Sequence, residues 1–186
     1  MSFYRRWRQE GGCYFFTVVT FQRRPILTTD TSRHLLRQAI RKTRAERPFE
    51  LTAIVLLPDH LHTIWRLPNG DADYSTRWRL IKSRYSRAML DAGYQQPMPS
   101  NKRGRPHEKA IWQRRFWEHF LRDEVDLEQH IDYMHYNPVK HGLAQSPMTW
   151  PYSTFRDYVA RGQYPEDWGY LEPAKLKNWL PPGHPE

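Results

Sequence analysis

The spacing of apolar positions divides the first third of the chain into strand and helix signals. Residues 14–21 (YFFTVVTF) form a β-branched and aromatic run that is typical of a buried strand. After Asp30, apolar residues recur every three or four positions, which predicts an amphipathic helix. The runs 49–57 and 60–67 are separated by Pro58-Asp59, and this arrangement predicts a β-hairpin.

The middle of the chain repeats the helix-then-strand order around a long interruption. Ser75 is a suitable cap for a helix that reaches about Leu90. Residues 93–109 are rich in Pro, Gly, Gln and Lys and lack periodicity, which predicts a mobile loop. Residues 111–121 (IWQRRFWEHFL) then predict a fourth strand.

A third helix is predicted from the capping residue Asp123, with Asp126 at the position of a capping-box partner. The helix is expected to end near Tyr136, because Pro138 bars its continuation and Gly142 follows. Beyond it the chain is rich in Pro, Trp and Tyr, which indicates an ordered but irregular tail.

The order strand–helix–strand–strand–helix–strand predicts an α+β, ferredoxin-like (split βαβ) fold. In that fold one antiparallel sheet carries its helices on one face, and the other face is a common platform for nucleic acids. The third helix and the irregular tail are additions to this frame. The length of 186 residues suits one domain, 1–145, with a tail, 146–186, that packs on or near it.

Composition narrows the class of protein. Hydrophobic residues make up 39% of the chain and aromatic residues 15%, which excludes a charge-rich disordered protein. No stretch approaches the ~20 apolar residues that span a bilayer, and the N-terminal residues lack the apolar core of a secretion signal. The single cysteine, Cys13, fits a reducing compartment, so we expect a cytoplasmic protein without membrane partners.

The net charge of +9 is unevenly distributed. Residues 1–122 carry 24 Lys and Arg against 10 Asp and Glu, whereas residues 123–186 carry 5 against 10. Arginine accounts for 22 of the 29 basic residues. Its planar fork pairs with phosphate and stacks on bases, which favours a polyanionic partner such as single-stranded nucleic acid. A GC-rich coding bias is the alternative explanation for the arginine excess.

Two histidines alternate with a leucine in the third predicted strand. His60 and His62 are two positions apart, so both imidazoles leave the same face while Leu61 faces the core. Two neighbouring imidazoles form half of a metal site, and ligand chemistry alone favours Zn or Mn. Histidines that are merely buried or exposed without a ligand are the more frequent explanation for such a pair.

The third helix carries a tyrosine and an asparagine on one side. Tyr133 and Asn137 are four positions apart and therefore lie one turn apart on the same face. A tyrosine oxygen beside a metal is a potential nucleophile, and an amide oxygen is a potential third ligand. Core packing for Tyr133 and a helix end before proline for Asn137 are the alternatives.

Taken together, these motifs resemble a known family. The paired histidines, followed by a helix with Tyr and a polar residue at i+4, resemble the HUH single-tyrosine nucleases. The segments RPFELTAIVLLPDHLHTIWRLP, FWEHFLRDEVDLEQHIDYMHYNPVKHGL and WPYSTFRDYVARG are similar to the REP-associated tyrosine transposases (RAYT proteins). The resemblance implies that His60 and His62 bind Mg²⁺ or Mn²⁺, that Asn137 is a third ligand and that Tyr133 is the nucleophile. Tyr136 is the competitor for the nucleophile's role.

The resemblance also implies a reaction and a partner. Tyr133 would attack a phosphodiester of single-stranded DNA beside a palindromic (REP) hairpin, forming a 5′-phosphotyrosine link and a free 3′-OH. The protein would work in the bacterial nucleoid as a monomer or homodimer, and residues 93–109 would be an insertion. The basic residues expected to contact DNA are Arg5, Arg6, Arg8, Arg77, Arg79, Lys82, Arg84 and Arg87.

Two other functions remain open at this point. One is a hairpin-binding protein of the same fold without catalysis. The other is a metal hydrolase or phosphoesterase that uses His60 and His62 without a covalent step. Both predict that no protein–DNA adduct forms.

Overall fold

A four-stranded antiparallel sheet organises residues 8–95 and 111–182, which are the part of the chain that the computed structural model describes. Its strands are β1 (Cys13–Val19), β2 (Glu50–Leu56), β3 (His60–Arg66) and β4 (Trp117–Leu121). They are arranged in the order β2-β3-β1-β4, and each neighbouring pair is antiparallel. This order is that of the split βαβ unit, so the predicted ferredoxin-like fold is confirmed.

Four α-helices accompany the sheet in the described ranges. They are α1 (Asp30–Glu46), α2 (Tyr74–Asp91), α3 (Glu124–Lys140) and the short α4 (Phe155–Ala160). Short 3-10 turns cover Phe21–Arg23, Pro147–Thr149 and Ala174–Leu176. Within these ranges no helix is long and apolar enough to cross a lipid bilayer.

The helices α1 and α2 pack on one face of the sheet, as the sequence predicted. Alternate residues of β1, such as Tyr14 and Phe16, point to this face and join a cluster with Trp78 and Ile81 of α2. The strand period of two sends the intervening β1 residues to the other face. Each face of the sheet therefore has its own apolar core.

The second face of the sheet is covered rather than exposed. Phe15 of β1 and Ile64 of β3 pack there with Tyr133 and Met134 of α3. The tail also closes the β2 edge, where Leu56 N donates to Tyr152 O at 2.8 Å. This face is therefore not an open platform in this protein, because α3 and the tail pack on it.

Several element boundaries differ from the sequence prediction. The cap of α2 is Asp73, whose side chain accepts from Thr76 N, and Ser75 lies inside the helix. Strand β4 begins at Trp117, and the segment before it contributes only an isolated bridge from Trp112 to Thr20. Most of the predicted loop 93–109 lies outside the described residues.

The third helix continues past the point where proline was expected to stop it. Pro138 lies in the last turn of α3 and has no backbone N–H to donate. It therefore removes only one hydrogen bond, near a helix end where the last carbonyl groups have no partner within the helix. The end is closed by Gly142 N donating to Val139 O at 2.9 Å and Leu143 N donating to Pro138 O at 2.9 Å. This bonding pattern is a Schellman motif, and it places Gly142 in the left-handed region with φ of 67°.

Replacement of Gly142 by alanine is expected to destabilise the fold by about 1 kcal/mol, because a Cβ is strained at positive φ. Nothing lies within 4 Å of the added Cβ, so the cost comes from the backbone and not from a clash. Urea unfolding followed by circular dichroism measures it. Gly70→Ala is a comparison at another open, positive-φ glycine far from α3. An unchanged stability for Gly142→Ala would contradict this account of the helix end.

Candidate active site

The two histidines of β3 lie side by side on the face that α3 covers. Their ring centroids are 4.9 Å apart, and both side chains are buried. Thr17, the cross-strand partner of His62 on β1, places its Oγ1 2.9 Å from His62 Nδ1. An ion bound by His62 would therefore be bound through Nε2, the other ring nitrogen.

The carboxylate of Asp59, in the turn before β3, contacts the other histidine of the pair, His60. His60 Nδ1 donates to Asp59 Oδ1 at 2.6 Å, and Arg23 Nη1 donates to Asp59 Oδ2 at 3.2 Å. Burial raises the pKa of the Asp59 carboxyl, but the hydrogen bonds and charges of His60 and Arg23 outweigh it and leave the pKa below its ordinary value. Asp59 is therefore ionised at neutral pH and can accept a hydrogen bond from His60 Nδ1.

Helix α3 brings Tyr133 to these histidines. The Tyr133 ring centroid lies 5.5 Å from that of His62 and 6.3 Å from that of Phe15, in edge-to-face arrangements. Trp179 of the tail packs against the tyrosine ring from another side at 5.6 Å. Lys140 Nζ lies 5.5 Å from the centre of the tyrosine ring. The tyrosine is thus fixed by packing next to the histidine pair, with a cation nearby.

Asn137 follows Tyr133 by one turn and is the residue whose amide needs a partner. Its side chain is 1% exposed, and neither amide atom has a hydrogen-bond partner among the described residues. A buried amide in that state is costly, and coordination of an ion would satisfy its oxygen. Two imidazoles and one amide oxygen fit a divalent ion such as Mn²⁺, whereas imidazole is a less favoured ligand for Mg²⁺. The donor atoms of these three side chains are therefore chemically suited to such an ion.

The competing tyrosine points elsewhere. The ring of Tyr136 lies 6.4 Å from that of Trp168 in the tail and almost perpendicular to it. Both tyrosines border a cavity of about 380 Å³ that Lys140 and Trp179 also line. Tyr133 is the one whose ring contacts His62, which is the reason to prefer it as nucleophile.

Histidines outside the pair have different surroundings. Burial lowers the pKa of His130 to about 4 and that of His135 to about 3, so both are neutral at physiological pH. The His141 ring lies 5.4 Å from that of His60, and burial, with a contribution from the His60 charge, lowers the His141 pKa as well. A neutral His141 therefore borders the histidine pair.

Asp126 does not complete a capping box. Its carboxylate accepts from Arg122 N and lies 3.0 Å from His119 Nε2 and 3.1 Å from His130 Nδ1. The His119 and His130 rings are stacked, with centroids 4.6 Å apart and an angle of 15°. Stacked rings cannot both direct an in-plane lone pair at one ion, so this group is a hydrogen-bond network next to the site.

Arg77 is a buried structural residue, and its interpretation as a DNA contact is wrong. The side chain is 1% exposed, and its guanidinium pairs with both oxygens of Asp71 at 3.0 and 2.7 Å. The remaining hydrogen bonds go to the backbone carbonyls of Arg47, Pro48 and Asp73. The guanidinium N–H groups already donate to protein acceptors, so none is left to donate to a phosphate.

Other basic residues of α2 have mixed surroundings. Lys82 Nζ donates to Gln113 O at 2.9 Å, and Arg84 bonds Thr43 and Glu46. Arg79 and Arg87 are exposed. Because α2 packs on the sheet face opposite the histidines, these side chains would contact DNA away from the reaction centre.

The N-terminal arm is only partly described. Arg8 is exposed, whereas Arg5 and Arg6 lie outside the described residues. All the predicted DNA contacts except Arg77 therefore stay predictions.

Several contributors to the site were not identified from the sequence, among them Thr17, Asp59, Arg23 and Trp179. Asp59 directly precedes His60, so its adjacency was a signal that could have been used. Arg23 and Trp179 reach the site only through the tertiary fold, and no local pattern marks them.

Comparison with known proteins supplies the family. Residues 10–137 match the family model of IS200-like transposases. A REP-associated tyrosine transposase of Escherichia coli K12 is 47% identical over 168 residues, which cover 90% of this chain and 91% of the relative. A Haemophilus influenzae protein, named as a candidate member of the same group, is 42% identical over 95% of this chain and 98% of its own length.

A solved structure agrees with these relatives. The structure of a REP-associated tyrosine transposase bound to a REP hairpin is 43% identical and has a TM-score of 0.75. The match covers 94% of this chain and 96% of that chain.

The matched region contains the predicted metal ligands and the predicted nucleophile. His60, His62, Tyr133 and Asn137 all fall within residues 10–137. The relatives extend the similarity over almost the full chain. The chain therefore belongs to the IS200-like transposases and, among them, to the REP-associated tyrosine transposases.

Proposed function

We propose that the protein is a metal-dependent endonuclease and strand transferase of single-stranded DNA. It acts beside palindromic hairpins and forms a 5′-phosphotyrosine intermediate on Tyr133. The observation that carries this proposal is the contact between the rings of Tyr133 and His62, 5.5 Å apart on the covered face of the sheet. A nucleophile is thereby adjacent to a pair of potential metal ligands.

Three side chains would hold the ion. They are His60 and His62, each through Nε2, and Asn137 through its amide oxygen. A bound divalent ion would act there as a Lewis acid that polarises the phosphoryl group and offsets its developing charge. Thr17 keeps the His62 imidazole oriented through its Nδ1 atom.

The covalent step needs no water or nucleotide cofactor. The Tyr133 hydroxyl loses its proton, its oxygen bonds to phosphorus, and the bond from phosphorus to the 3′ oxygen breaks. That oxygen takes up a proton and leaves as a 3′-OH, so a 3′-OH can later reverse the step and rejoin strands. Packing by Phe15 and Trp179 orients the ring. The Lys140 ammonium lies 5.5 Å from the centre of the same ring, where a cation is attracted to the aromatic face.

Support for a hairpin substrate comes from the relative and from charge. The solved relative is bound to a REP hairpin. Residues 1–122 of this chain carry a large excess of basic over acidic residues, which suits a folded polyanion. Phosphate contacts would set affinity and its salt dependence, and base contacts would set sequence preference.

The test uses a hairpin oligonucleotide with a single-stranded flank, labelled at its 3′ end so that the 5′-phosphotyrosine product carries the label. With Mn²⁺ or Mg²⁺ we expect a labelled protein band on a denaturing gel, and excess EDTA added before the DNA is expected to prevent its formation. Cleaved DNA without attached protein would instead indicate a phosphoesterase. Binding without cleavage under either ion would indicate a non-catalytic hairpin-binding protein.

A further inference from the structure

A carboxylate connects an arginine to one histidine of the site. Asp59 uses both oxygens: Oδ1 accepts from His60 Nδ1 at 2.6 Å, and Oδ2 accepts from Arg23 Nη1 at 3.2 Å. The arginine comes from the loop after β1, and the other two residues come from the turn that begins β3. Arg23, Asp59 and His60 are thus linked by two consecutive hydrogen bonds.

Backbone hydrogen bonds fix the loop that presents the arginine. Thr20 N donates to Asp59 O at 2.8 Å, and Leu27 N donates to Pro58 O at 2.8 Å. The Thr20 hydroxyl lies within hydrogen-bond distance of Asp59 O as well, at 2.9 Å. The loop and the turn are thus joined on both sides of Arg23, although the arginine side chain itself is half exposed.

The loop contains two strained residues. Gln22 has φ of 54° and Arg23 has φ of 51°, in the left-handed region that glycine adopts without cost. Non-glycine residues persist there only where the surrounding structure imposes the conformation, and such positions cluster at functional sites. A glycine at position 23 would relieve the backbone but would lose the ion pair with Asp59.

We propose that Arg23 and Asp59 are positioning residues, which hold the His60 imidazole with its proton on Nδ1 and its Nε2 toward the divalent ion. The inference rests on the metal site of the proposed function. A carboxylate that accepts from the second ring nitrogen fixes the tautomer and makes the ligand nitrogen more basic. Arg23 holds the same carboxylate in place by donating a hydrogen bond to its other oxygen, Oδ2. Neither residue needs to touch DNA or the ion.

The test measures Mn²⁺ binding to the full chain by calorimetry without DNA. Asp59→Ala is expected to weaken Mn²⁺ affinity about 10- to 100-fold, the usual effect of removing a partner of a metal-binding histidine. Arg23→Gly is expected to weaken it less, and Arg23→Lys to retain most of it. The matched control is Arg66→Ala, which removes an exposed arginine paired with Glu50 at the opposite end of β3 and should leave affinity unchanged.

Two further readouts separate positioning from a structural role. Arg23→Gly removes backbone strain, so its melting temperature should be no lower than that of the wild type even though Mn²⁺ binding is weaker. Long-range ¹⁵N spectra should show His60 protonated at Nδ1 in the wild type and a mixture of tautomers in Asp59→Ala. If Asp59→Ala does not fold, Asp59→Asn keeps the side-chain shape and removes the charge for the same two measurements.

The outcomes are distinct. Wild-type Mn²⁺ affinity and an unchanged His60 tautomer in both the Asp59 and Arg23 variants would overturn the inference while leaving the proposed metal site intact. A wild-type chain that binds no Mn²⁺ would overturn the metal site of the proposed function and this inference with it.

Discussion

Replacement of Tyr133 by phenylalanine is expected to abolish the covalent protein–DNA adduct, a loss of about 10⁴-fold or more, because it removes the oxygen that we propose bonds to phosphorus. The aromatic ring remains, so its packing against Phe15, His62 and Trp179 is retained. Hairpin affinity should therefore stay within about twofold of the wild type, since no phosphate contact is lost. Denaturing gels measure the adduct, and fluorescence anisotropy measures binding.

The matched control for this change lies three positions along the same helix. Tyr136→Phe removes a hydroxyl from a ring that faces Trp168, and it should form the adduct at close to the wild-type rate. If Tyr133→Phe still forms an adduct and Tyr136→Phe does not, the assignment of the nucleophile is wrong. Loss of the adduct in both variants would point to a requirement for the cavity that the two tyrosines share.

Replacement of Arg77 by leucine is expected to destabilise the protein by about 3 kcal/mol or more, because it removes a buried guanidinium together with the hydrogen bonds that it donates to Asp71 and to three backbone carbonyls. The groups affected are the carboxylate of Asp71 and the carbonyls of Arg47, Pro48 and Asp73. Urea unfolding measures the change. Arg79→Ala, an exposed arginine on the same helix, is the control and should alter stability by less than about 0.5 kcal/mol.

The same pair predicts a pH dependence. The pKa of the Asp71 carboxyl is below its ordinary value, mainly because Arg77 donates a hydrogen bond to it. A carboxyl with a lower pKa in the folded state contributes stability above its unfolded pKa of ~3.9 and loses it as the pH falls through the folded value. The stability difference between wild type and Arg77→Leu should therefore narrow below about pH 4.

An Arg77→Leu variant that is as stable as the wild type but binds the hairpin weakly would instead restore Arg77 as a DNA contact.

The sheet and the histidine pair were predictable because they depend on local periodicity. Alternation along β1 and β3 gives the faces directly, so the common direction of His60 and His62 follows from their spacing. The one-turn separation of Tyr133 and Asn137 likewise follows from helix geometry. That the two motifs meet was expected only from the family resemblance, since periodicity does not say which face α3 covers.

The errors have physical causes that the sequence only partly reveals. Arg77 lies three positions after Tyr74 and four before Ile81, on the buried side of α2, but its charge suggested a surface role. Its partner Asp71 and the carbonyls before β2 become neighbours only on folding. Pro138 predicts a helix end, yet a proline in the last turn costs few hydrogen bonds and the following residues close the helix.

The division of the reaction centre between β3 and α3 has a consequence for protein synthesis. A nascent chain that has left the ribosome as far as β4 holds both histidines but not the tyrosine, which arrives with α3. The apolar core on the α1 and α2 side is complete in sequence by that stage except for its smaller contributions from the tail. Under the proposed function, a chain that ends at β4 lacks the proposed nucleophile Tyr133, so truncated products of translation cannot form the covalent intermediate.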